Sequence, residues 1–287
     1  MNPIPPQKHQ KRRLRAHFGF ARVPFSKFTW AKHMFDSSAQ RELLAALDMW
    51  TELRGFALVI GQSGVGKSIT LRRFVQSLDD SRYRVFDFSY LPVTVTGFMR
   101  SLNRCLGLPM RLHSSDLFDA AQKFLATYEQ EHGPHPIILI DDAEGLTIPV
   151  LDALRRLSCY DMDAMDRFSV LLSGTEKIRI HLKHNPLNSL TSRIVFAETL
   201  RPFSLEDTRN YVRHHLERAE VDPKLFSDEA VRRIFQVSFG RPRNINQIAT
   251  QVLIKAAVNG KDNIDGSFVA HQIATHPLLQ KGHGEQE

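Results

Sequence analysis

Short apolar runs alternate with amphipathic stretches along the first two thirds of the chain. Clusters of β-branched and aromatic residues predict strands over residues 56–60, 83–88, 136–140, 168–172 and 194–198. Apolar residues at helical spacing predict helices over residues 37–54, 95–106, 114–131 and 148–160, and another that begins near residue 69. Strands that alternate with helices predict an α/β fold with a five-stranded parallel sheet covered on both faces.

The pattern becomes wholly helical after Pro202. Helices are predicted over residues 204–219, 227–238, 243–259 and 266–275. We therefore expect an α/β domain over residues 18–200 and a small all-helical lid domain over residues 201–276. Aromatic residues from Phe18 onward predict an irregular segment pinned onto the α/β body. Residues 1–17 and 277–287 are expected to be a disordered arm and tail.

The composition is that of a globular protein. An apolar fraction of 42% in 287 residues is enough for a packed core. No window approaches the roughly 18 uninterrupted apolar residues of a membrane helix, and the N-terminus lacks the apolar stretch of a signal peptide. We expect a cytoplasmic protein with no membrane partner. Cys105 and Cys159 lie in unrelated patterns, which predicts buried free thiols and neither a disulfide nor a zinc site.

The net charge of +7 is concentrated at the N-terminus. Residues 1–35 hold eight Lys or Arg and no acid, and removing these eight from the 38 basic residues leaves 30, against 31 acidic ones. Such an arm suits a polyanion, because each Lys or Arg that neutralises a phosphate releases counterions. A solvated tail that only keeps the protein soluble explains the charge equally well.

A complete phosphate-binding loop follows the first strand. Gly61, Gly66, Lys67 and Ser68 meet the pattern G-x-x-x-x-G-K-[ST], between a strand and a helix. Glycines let backbone N–H groups surround phosphates, Lys67 is expected to reach the β and γ phosphates of ATP, and Ser68 to bind Mg²⁺. The predicted ATP contacts are Gly61, Gln62, Ser63, Gly64, Val65, Gly66, Lys67, Ser68 and Ile69.

Acidic residues follow the third predicted strand. Asp141 is expected to hold Mg²⁺ through water, and a neighbouring carboxylate is needed to activate the attacking water. Asp142 is the first choice for that role and Glu144 the second.

Further polar residues complete the expected site. Ser173 or Thr175, where the fourth predicted strand ends, is a candidate to hold the attacking water or the γ phosphate. Arg193 and Arg243 are candidates to stabilise charge on the transferred phosphoryl group, because a guanidinium is planar and permanently charged.

With these motifs in order, the chain resembles the ExeA-like branch of AAA+ ATPases, a group that includes the transposition ATPases TnsC and TniB and, more distantly, MuB. The resemblance covers roughly residues 18–273. It rests on Phe18-Gly19 with Pro24-Phe25, residues 61–68, residues 140–143, Ser192-Arg193-Ile194 running into residues 200–204, and Gly240 with residues 242–246.

The resemblance implies a P-loop AAA+ core and roles for two arginines. By it, Arg193 looks like an arginine finger that acts on the ATP of a neighbouring subunit, and Arg243 like the sensor-2 arginine of the lid. A finger that acts in trans implies a homo-oligomer, either a ring or a helical filament. Many members have Glu where this chain has Asp142, whose side chain is one methylene shorter. We therefore expect either slow, switch-like hydrolysis or a role that Asp142 shares with Glu144.

Three functions compete for the ATPase. The first is a transposition regulator that assembles on double-stranded DNA without strong sequence preference and recruits a transposase. The second is a secretion-associated ATPase, and the third a nucleotide-dependent scaffold without nucleic acid. ExeA-type secretion proteins are expected to continue into a membrane span and a cell-wall-binding region, so a chain that stops at Glu287 is expected to be the first kind. Candidate DNA contacts are Arg100, Arg104, Arg111, Arg155 and Arg156.

Overall fold

The computed structural model describes residues 14–26, 34–88, 92–160 and 165–275. The chain divides into two compact units. One is Gln40–Arg201, and the other combines Met1–Ala39 with Pro202–Glu287. We describe each unit by itself.

The first unit is built on a five-stranded parallel sheet, which confirms the predicted fold class. Its strands are β1 (Phe56–Ile60), β2 (Tyr83–Asp87), β3 (His135–Ile140), β4 (Ser169–Gly174) and β5 (Ile194–Thr199). They lie in the order β2-β3-β4-β1-β5, and every neighbouring pair is parallel. All residues of β1, β3 and β4 are buried, as expected for central strands with helices on both faces.

One helix precedes the first strand and the others follow or connect the strands. They are α1 (Ser38–Leu53), α2 (Lys67–Ser77), α3 (Val95–Cys105), α4 (Ser114–His132), α5 (Ile148–Ser158), α6 (Glu176–Leu182) and the single turn α7 (Asn188–Thr191). The start of α2 was predicted two residues too late. Gly66 is its N-cap, in the left-handed region with φ 113°, so the helix begins at Lys67.

The end of β4 also differs from the prediction. Ser173 and Gly174 were expected to follow this strand, but they are its last residues. They pair in parallel register with Val59 and Ile60 of β1. A Ser-Gly pair has turn-like composition, but here the neighbouring strand supplies the register that keeps both residues extended.

The second unit is helical. It contains α8 (Leu205–Arg218), α9 (Asp228–Ser238), α10 (Pro242–Val258) and α11 (Gly266–Ala274). A capping box starts α8. Ser204 Oγ accepts a 3.0 Å hydrogen bond from Asp207 N, and the Asp207 carboxylate accepts a hydrogen bond from the backbone N–H of Ser204. Val212, Ile234 and Ile248 belong to the apolar core that the helices enclose.

The N-terminal segment packs on this helical unit, which corrects two sequence predictions. Residues 18–39 were expected in the α/β domain, yet Phe20 and Phe25 are each 4% exposed in the helical core. Residues 14–17 were expected to be disordered, yet residues 14–18 are helical and Leu14 is buried in the same core. Burial of the apolar side chains of this segment offsets the conformational entropy that is lost when the segment becomes ordered. Residues 1–13 of the predicted arm and the whole predicted tail, residues 277–287, lie outside the described residues.

Histidine 215 fixes the position of Phe25 in this core. Its Nδ1 accepts a 3.3 Å hydrogen bond from the backbone N–H of Phe25, a residue with φ 58°. Burial lowers the pKa of His215 to about 3, with smaller contributions from the neighbouring His214 and Arg218 side chains. The ring is therefore neutral, as an acceptor at Nδ1 requires.

Within the described ranges, no helix is long and apolar enough to cross a membrane.

Candidate active site

The loop that follows β1 is anchored to strands on both sides. Gly61 N donates a 3.0 Å hydrogen bond to Gly174 O of β4, and Leu200 N, just after β5, donates a 2.8 Å bond to Ile60 O. A Cβ on Gly61 would lie 2.9 Å from Val65 Cγ1 and 3.1 Å from Leu200 O. A side chain at this position would crowd the point where the chain enters the loop, which favours glycine there.

Lys67 lies over this loop. Its side chain is 6% exposed, and Nζ donates a 2.8 Å hydrogen bond to Gly61 O. An ammonium group has three donors, so this bond leaves others for phosphate oxygens. The first N–H groups of α2 have no partners within the helix, which makes this end an anion-binding point. The glycine geometry, the held lysine and the helix terminus together fit the phosphates of ATP.

Helix α1 supports the loop through a contact that sequence reasoning missed. Gln40 is 7% exposed, and its Nε2 donates a 3.1 Å hydrogen bond to Thr70 Oγ1. Thr70 Oγ1 in turn donates a 3.0 Å bond to Gly66 O. The only signal in the sequence is a glutamine on the apolar face of an amphipathic helix, which does not reveal its partner.

Asp141 lies at the same edge of the sheet as the loop. It directly follows β3, and β4 separates β3 from β1, so the two strand ends are about 10 Å apart. Its carboxylate is half-buried, and Oδ1 accepts a 3.0 Å hydrogen bond from Asp142 N. The donor set of this carboxylate and the exposed Ser68 hydroxyl fits Mg²⁺, which prefers oxygen ligands and retains several waters.

The two candidates for water activation have different surroundings. Asp142 is exposed and has a left-handed backbone, with φ 52° and ψ 38°. Glu144 lies in the short 3-10 helix Ala143–Gly145, and its Oε2 accepts a 3.1 Å hydrogen bond from Thr175 N. Glu144 is therefore attached to the end of β4, the strand that anchors the loop.

Ser173 and Thr175 do not both lie where the sequence suggested. Ser173 is fully buried inside β4, and its Oγ has no hydrogen-bond partner among the described residues. Thr175 does follow the strand, and its Oγ1 accepts a 3.4 Å hydrogen bond from Lys177 N as the N-cap of α6. Of the two candidate residues, only Thr175 follows the end of β4.

Arg193 lies at the opposite end of the sheet from the loop. It immediately precedes β5, and its carbonyl oxygen accepts a 3.4 Å hydrogen bond from Phe56 N at the start of β1. The length of β1 separates this end from the phosphate-binding loop by about 15 Å. The structure therefore does not bring Arg193 to the loop of its own chain.

A partly buried polar network lies at this amino end, and sequence reasoning missed it. Arg54 donates hydrogen bonds of 2.9 and 2.7 Å to the two carboxylate oxygens of Glu129. His135, 2% exposed, is hydrogen-bonded to Glu129 Oε2 at 3.0 Å and to Ser169 Oγ at 2.9 Å. Burial lowers the pKa of His135, against the hydrogen bond to Glu129, so the network contains a neutral imidazole.

Arg243 is in the helical unit, as the second residue of α10. The turn before it is set by Gly240, where a Cβ would overlap the carbonyl oxygen of Phe203. Phe203 N donates a 2.9 Å hydrogen bond to Gly240 O. The close approach of these backbones fixes where α10 begins.

The arginines proposed for DNA fall into two groups. Arg100, Arg104 and Arg111 are exposed, and the first two line an open groove with Pro92 and Val93. The second pair, Arg155 and Arg156 on α5, both form ion pairs with Asp152.

Parts of the sequence are similar to known proteins. Residues 51–182 match the model of the AAA domain family. The chain is 28% identical over 268 residues to the general secretion pathway protein A of Aeromonas hydrophila. That match covers 90% of this chain and 48% of the relative, so the chain spans about half the length of the curated protein it matches.

Solved structures share the fold at low sequence identity. Cdc6p from Pyrobaculum aerophilum has a TM-score of 0.66 and 18% identity, with 87% of this chain and 69% of that chain covered. The Aeropyrum pernix ORC1 protein, solved in complex with DNA, has a TM-score of 0.62 and 14% identity, with 89% and 69% covered.

The family match and the secretion-protein relative show that residues 51–182 resemble an AAA domain and that the chain as a whole resembles the general secretion pathway protein A. The parallel sheet, the phosphate-binding loop and the structural neighbours show that the chain has the fold of AAA+ P-loop ATPases.

Proposed function

We propose that this chain is a Mg²⁺-dependent ATPase that assembles on double-stranded DNA and regulates transposition by recruiting a transposase. The observation that carries the ATPase part is the arrangement around Gly61, where the loop, the held Lys67 and the start of α2 converge. Backbone N–H groups and Lys67 bind the phosphates, while Ser68 and Asp141 hold Mg²⁺, which shields the phosphate charge.

Hydrolysis then needs an activated water at the γ phosphate. The water oxygen bonds to the γ phosphorus, the bond from that phosphorus to the bridging oxygen breaks, and ADP leaves with the electron pair. Asp142 is the proposed acceptor of the water proton. Glu144 shares the site, because its bond to Thr175 N positions the strand end where the water is held.

The position of Arg193 supports assembly. An arginine at the amino end of the sheet cannot stabilise charge on ATP bound about 15 Å away at the carboxyl end. It can do so on the ATP of an adjacent copy, which requires a ring or a filament. Arg243 is proposed to contact the nucleotide from the helical unit.

Duplex DNA is the proposed polyanion. The N-terminal 35 residues carry eight basic and no acidic side chains, and Arg100, Arg104 and Arg111 are exposed on the α/β unit. These side chains suit contacts with DNA phosphates, which contribute affinity but do not distinguish one base sequence from another. The fold neighbour solved in complex with DNA is consistent with this use of the fold.

A secretion-associated ATPase is the second candidate. It is favoured by the identity to the general secretion pathway protein A. The two candidates share the ATP site and differ in their need for DNA.

Binding of random-sequence duplex DNA separates them. The purified protein is tested with ATP, with a slowly hydrolysed analogue, with ADP and without nucleotide, and the same samples are viewed by negative-stain microscopy. The proposal predicts ATP-dependent, sequence-tolerant binding with rings or filaments on the DNA. Absence of binding in all four states would reject the transposition role and leave the secretion role.

A further inference from the structure

Two guanidinium groups converge on one thiol at the amino end of the sheet. Arg155 Nη1 of α5 and Arg193 Nη2 each lie 3.5 Å from Cys159 Sγ. The two nitrogens are therefore at most twice that distance apart. Two charge-assisted hydrogen bonds of about 2.8 Å, one to each of two oxygens of a phosphoryl group, span such a gap.

The backbone that carries the thiol is fixed. Gln122 Nε2 of α4 donates hydrogen bonds of 3.2 Å to Arg156 O and to Cys159 O, just beyond the end of α5. Arg156 O also accepts a 3.1 Å hydrogen bond from Cys159 N, so side chain and backbone together hold this end of the helix. The thiol is thus a rigid point against which both guanidiniums rest.

Asp152 orients Arg155 without removing it from this place. Its Oδ1 accepts a 3.0 Å hydrogen bond from Arg155 Nε, and its Oδ2 lies 3.2 Å from Arg156 Nε. One carboxylate is therefore shared between two arginines. Arg156 points elsewhere, since its guanidinium lies over the Phe118 ring at 5.8 Å and its side chain is 53% exposed.

We propose that Arg155 is a second trans-acting arginine, which together with Arg193 binds the γ phosphoryl group of the ATP held by a neighbouring copy. This inference rests on the proposed function, in which Arg193 acts in trans. A pair of guanidiniums offers two forks to the oxygens on which charge grows as the phosphoryl group transfers. The same pair suits a phosphate of DNA, so the experiment separates the two sources.

The test mixes variants and measures phosphate release at saturating ATP. Arg155→Gln alone is expected to lower turnover roughly tenfold or more, as for loss of one charge-stabilising donor. Mixing it with Lys67→Ala, which has both arginines but a defective ATP site, is expected to restore turnover. Arg179→Gln, which loses the same i,i+3 kind of ion pair on α6, is the control and is expected to stay near the wild-type rate.

Mixing Arg155→Gln with Arg193→Gln shows whether the two residues act from the same copy. No interface in that mixture has both arginines, so no rescue is expected. Rescue there would place Arg155 at its own ATP site and overturn the proposal. The double variant is expected to be slower than Arg193→Gln alone; an equal rate would mean that Arg155 acts only by positioning Arg193.

Two further outcomes separate this inference from the function on which it rests. If Arg193→Gln is rescued by Lys67→Ala but Arg155→Gln keeps the wild-type rate, only the role of Arg155 fails. If Arg193→Gln is not rescued, the trans-acting arginine fails and this inference with it. Loss of DNA affinity by Arg155→Gln with a non-hydrolysed analogue, at unchanged turnover, would assign the pair to DNA. Arg155→Lys keeps the charge and the pair with Asp152 if the glutamine variant does not fold.

Discussion

Glu144 Oε2 accepts a 3.1 Å hydrogen bond from Thr175 N, so the turn after β3 is joined to the end of β4. The same carboxylate oxygen lies 2.7 Å from the position of a Cβ on Gly174. Gly174 in turn accepts the bond that anchors the phosphate-binding loop. This contact links the acidic segment to the loop through a single strand end.

The contact makes different predictions for the two acidic residues. Asp142→Asn is expected to lower phosphate release about 100-fold, because an amide cannot accept the water proton. Glu144→Gln is expected to cost less than about tenfold, since the amide oxygen still accepts from Thr175 N. Single-turnover phosphate release, with ATP binding measured separately, gives both values. Equal loss in the two variants would mean that both carboxylates activate water.

Gly61 is expected to tolerate no side chain. In Gly61→Ala the Cβ would contact Val65 and the Leu200 carbonyl, and overpacking of this kind costs about 1–3 kcal/mol. We expect ATP affinity to fall at least about tenfold as the loop shifts. Gly145→Ala is the control, because no atom lies within 4 Å of its Cβ position. Binding of a fluorescent ATP analogue measures the affinity of both variants. An unchanged affinity in Gly61→Ala would contradict the loop geometry.

His215 predicts a pH dependence of stability. Burial lowers its folded-state pKa to about 3, so the unfolded chain binds a proton first as pH falls below about 6.5. The free energy of unfolding should therefore decrease from about pH 6.5 downward, by up to about 1.4 kcal/mol per pH unit. Between pH 7.5 and 5.0, the free energy of unfolding of His215→Gln should decrease by about 2 kcal/mol less than that of the wild type.

The control for this prediction is the exposed His271 of the same unit. His271→Gln should follow the wild-type pH dependence in urea unfolding. The same pH dependence in wild type and His215→Gln would show that His215 does not remain neutral in the folded protein.

Arg100 and Arg104 predict the character of DNA binding. Replacing both with Ala should weaken affinity equally for unrelated duplex sequences and lower the salt dependence, because phosphate contacts and their released counterions are lost. Replacing Arg232 and Arg233 of α9, in the helical unit, with Ala is the matched surface control. Titrations at several salt concentrations measure the change, and unaltered affinity would remove the groove from the DNA surface.

The sequence predicted the elements and the phosphate site well, because both depend on local patterns. Five apolar runs became the five strands, and the glycine-rich motif formed the loop after β1. The predicted end of β4 was wrong. Ser173 is kept extended by its pairing with β1 and not by local composition. Such pairing is a tertiary property that a Ser-Gly sequence does not show.

Contacts between distant segments could not be predicted from the sequence for the same reason. The packing of Phe20 and Phe25 in the helical core depends on which apolar face they meet, and every apolar face satisfies the sequence pattern equally. The support of Gly66 by Gln40 and the convergence of Arg155 with Arg193 are set by helix placement. The roles of Arg193 and Arg243 stay predictions from the family resemblance.

The most direct test of the account is Mg²⁺-dependent phosphate release by wild type and Lys67→Ala, with duplex DNA present at protein concentrations that allow assembly. The account predicts turnover by the wild type that stops on chelation of Mg²⁺. It predicts a loss of about 100-fold or more in Lys67→Ala, whose folding is checked by thermal unfolding. Wild-type turnover in a folded Lys67→Ala protein, or none in wild type under any of these conditions, would contradict an ATPase at the Gly61–Ser68 loop.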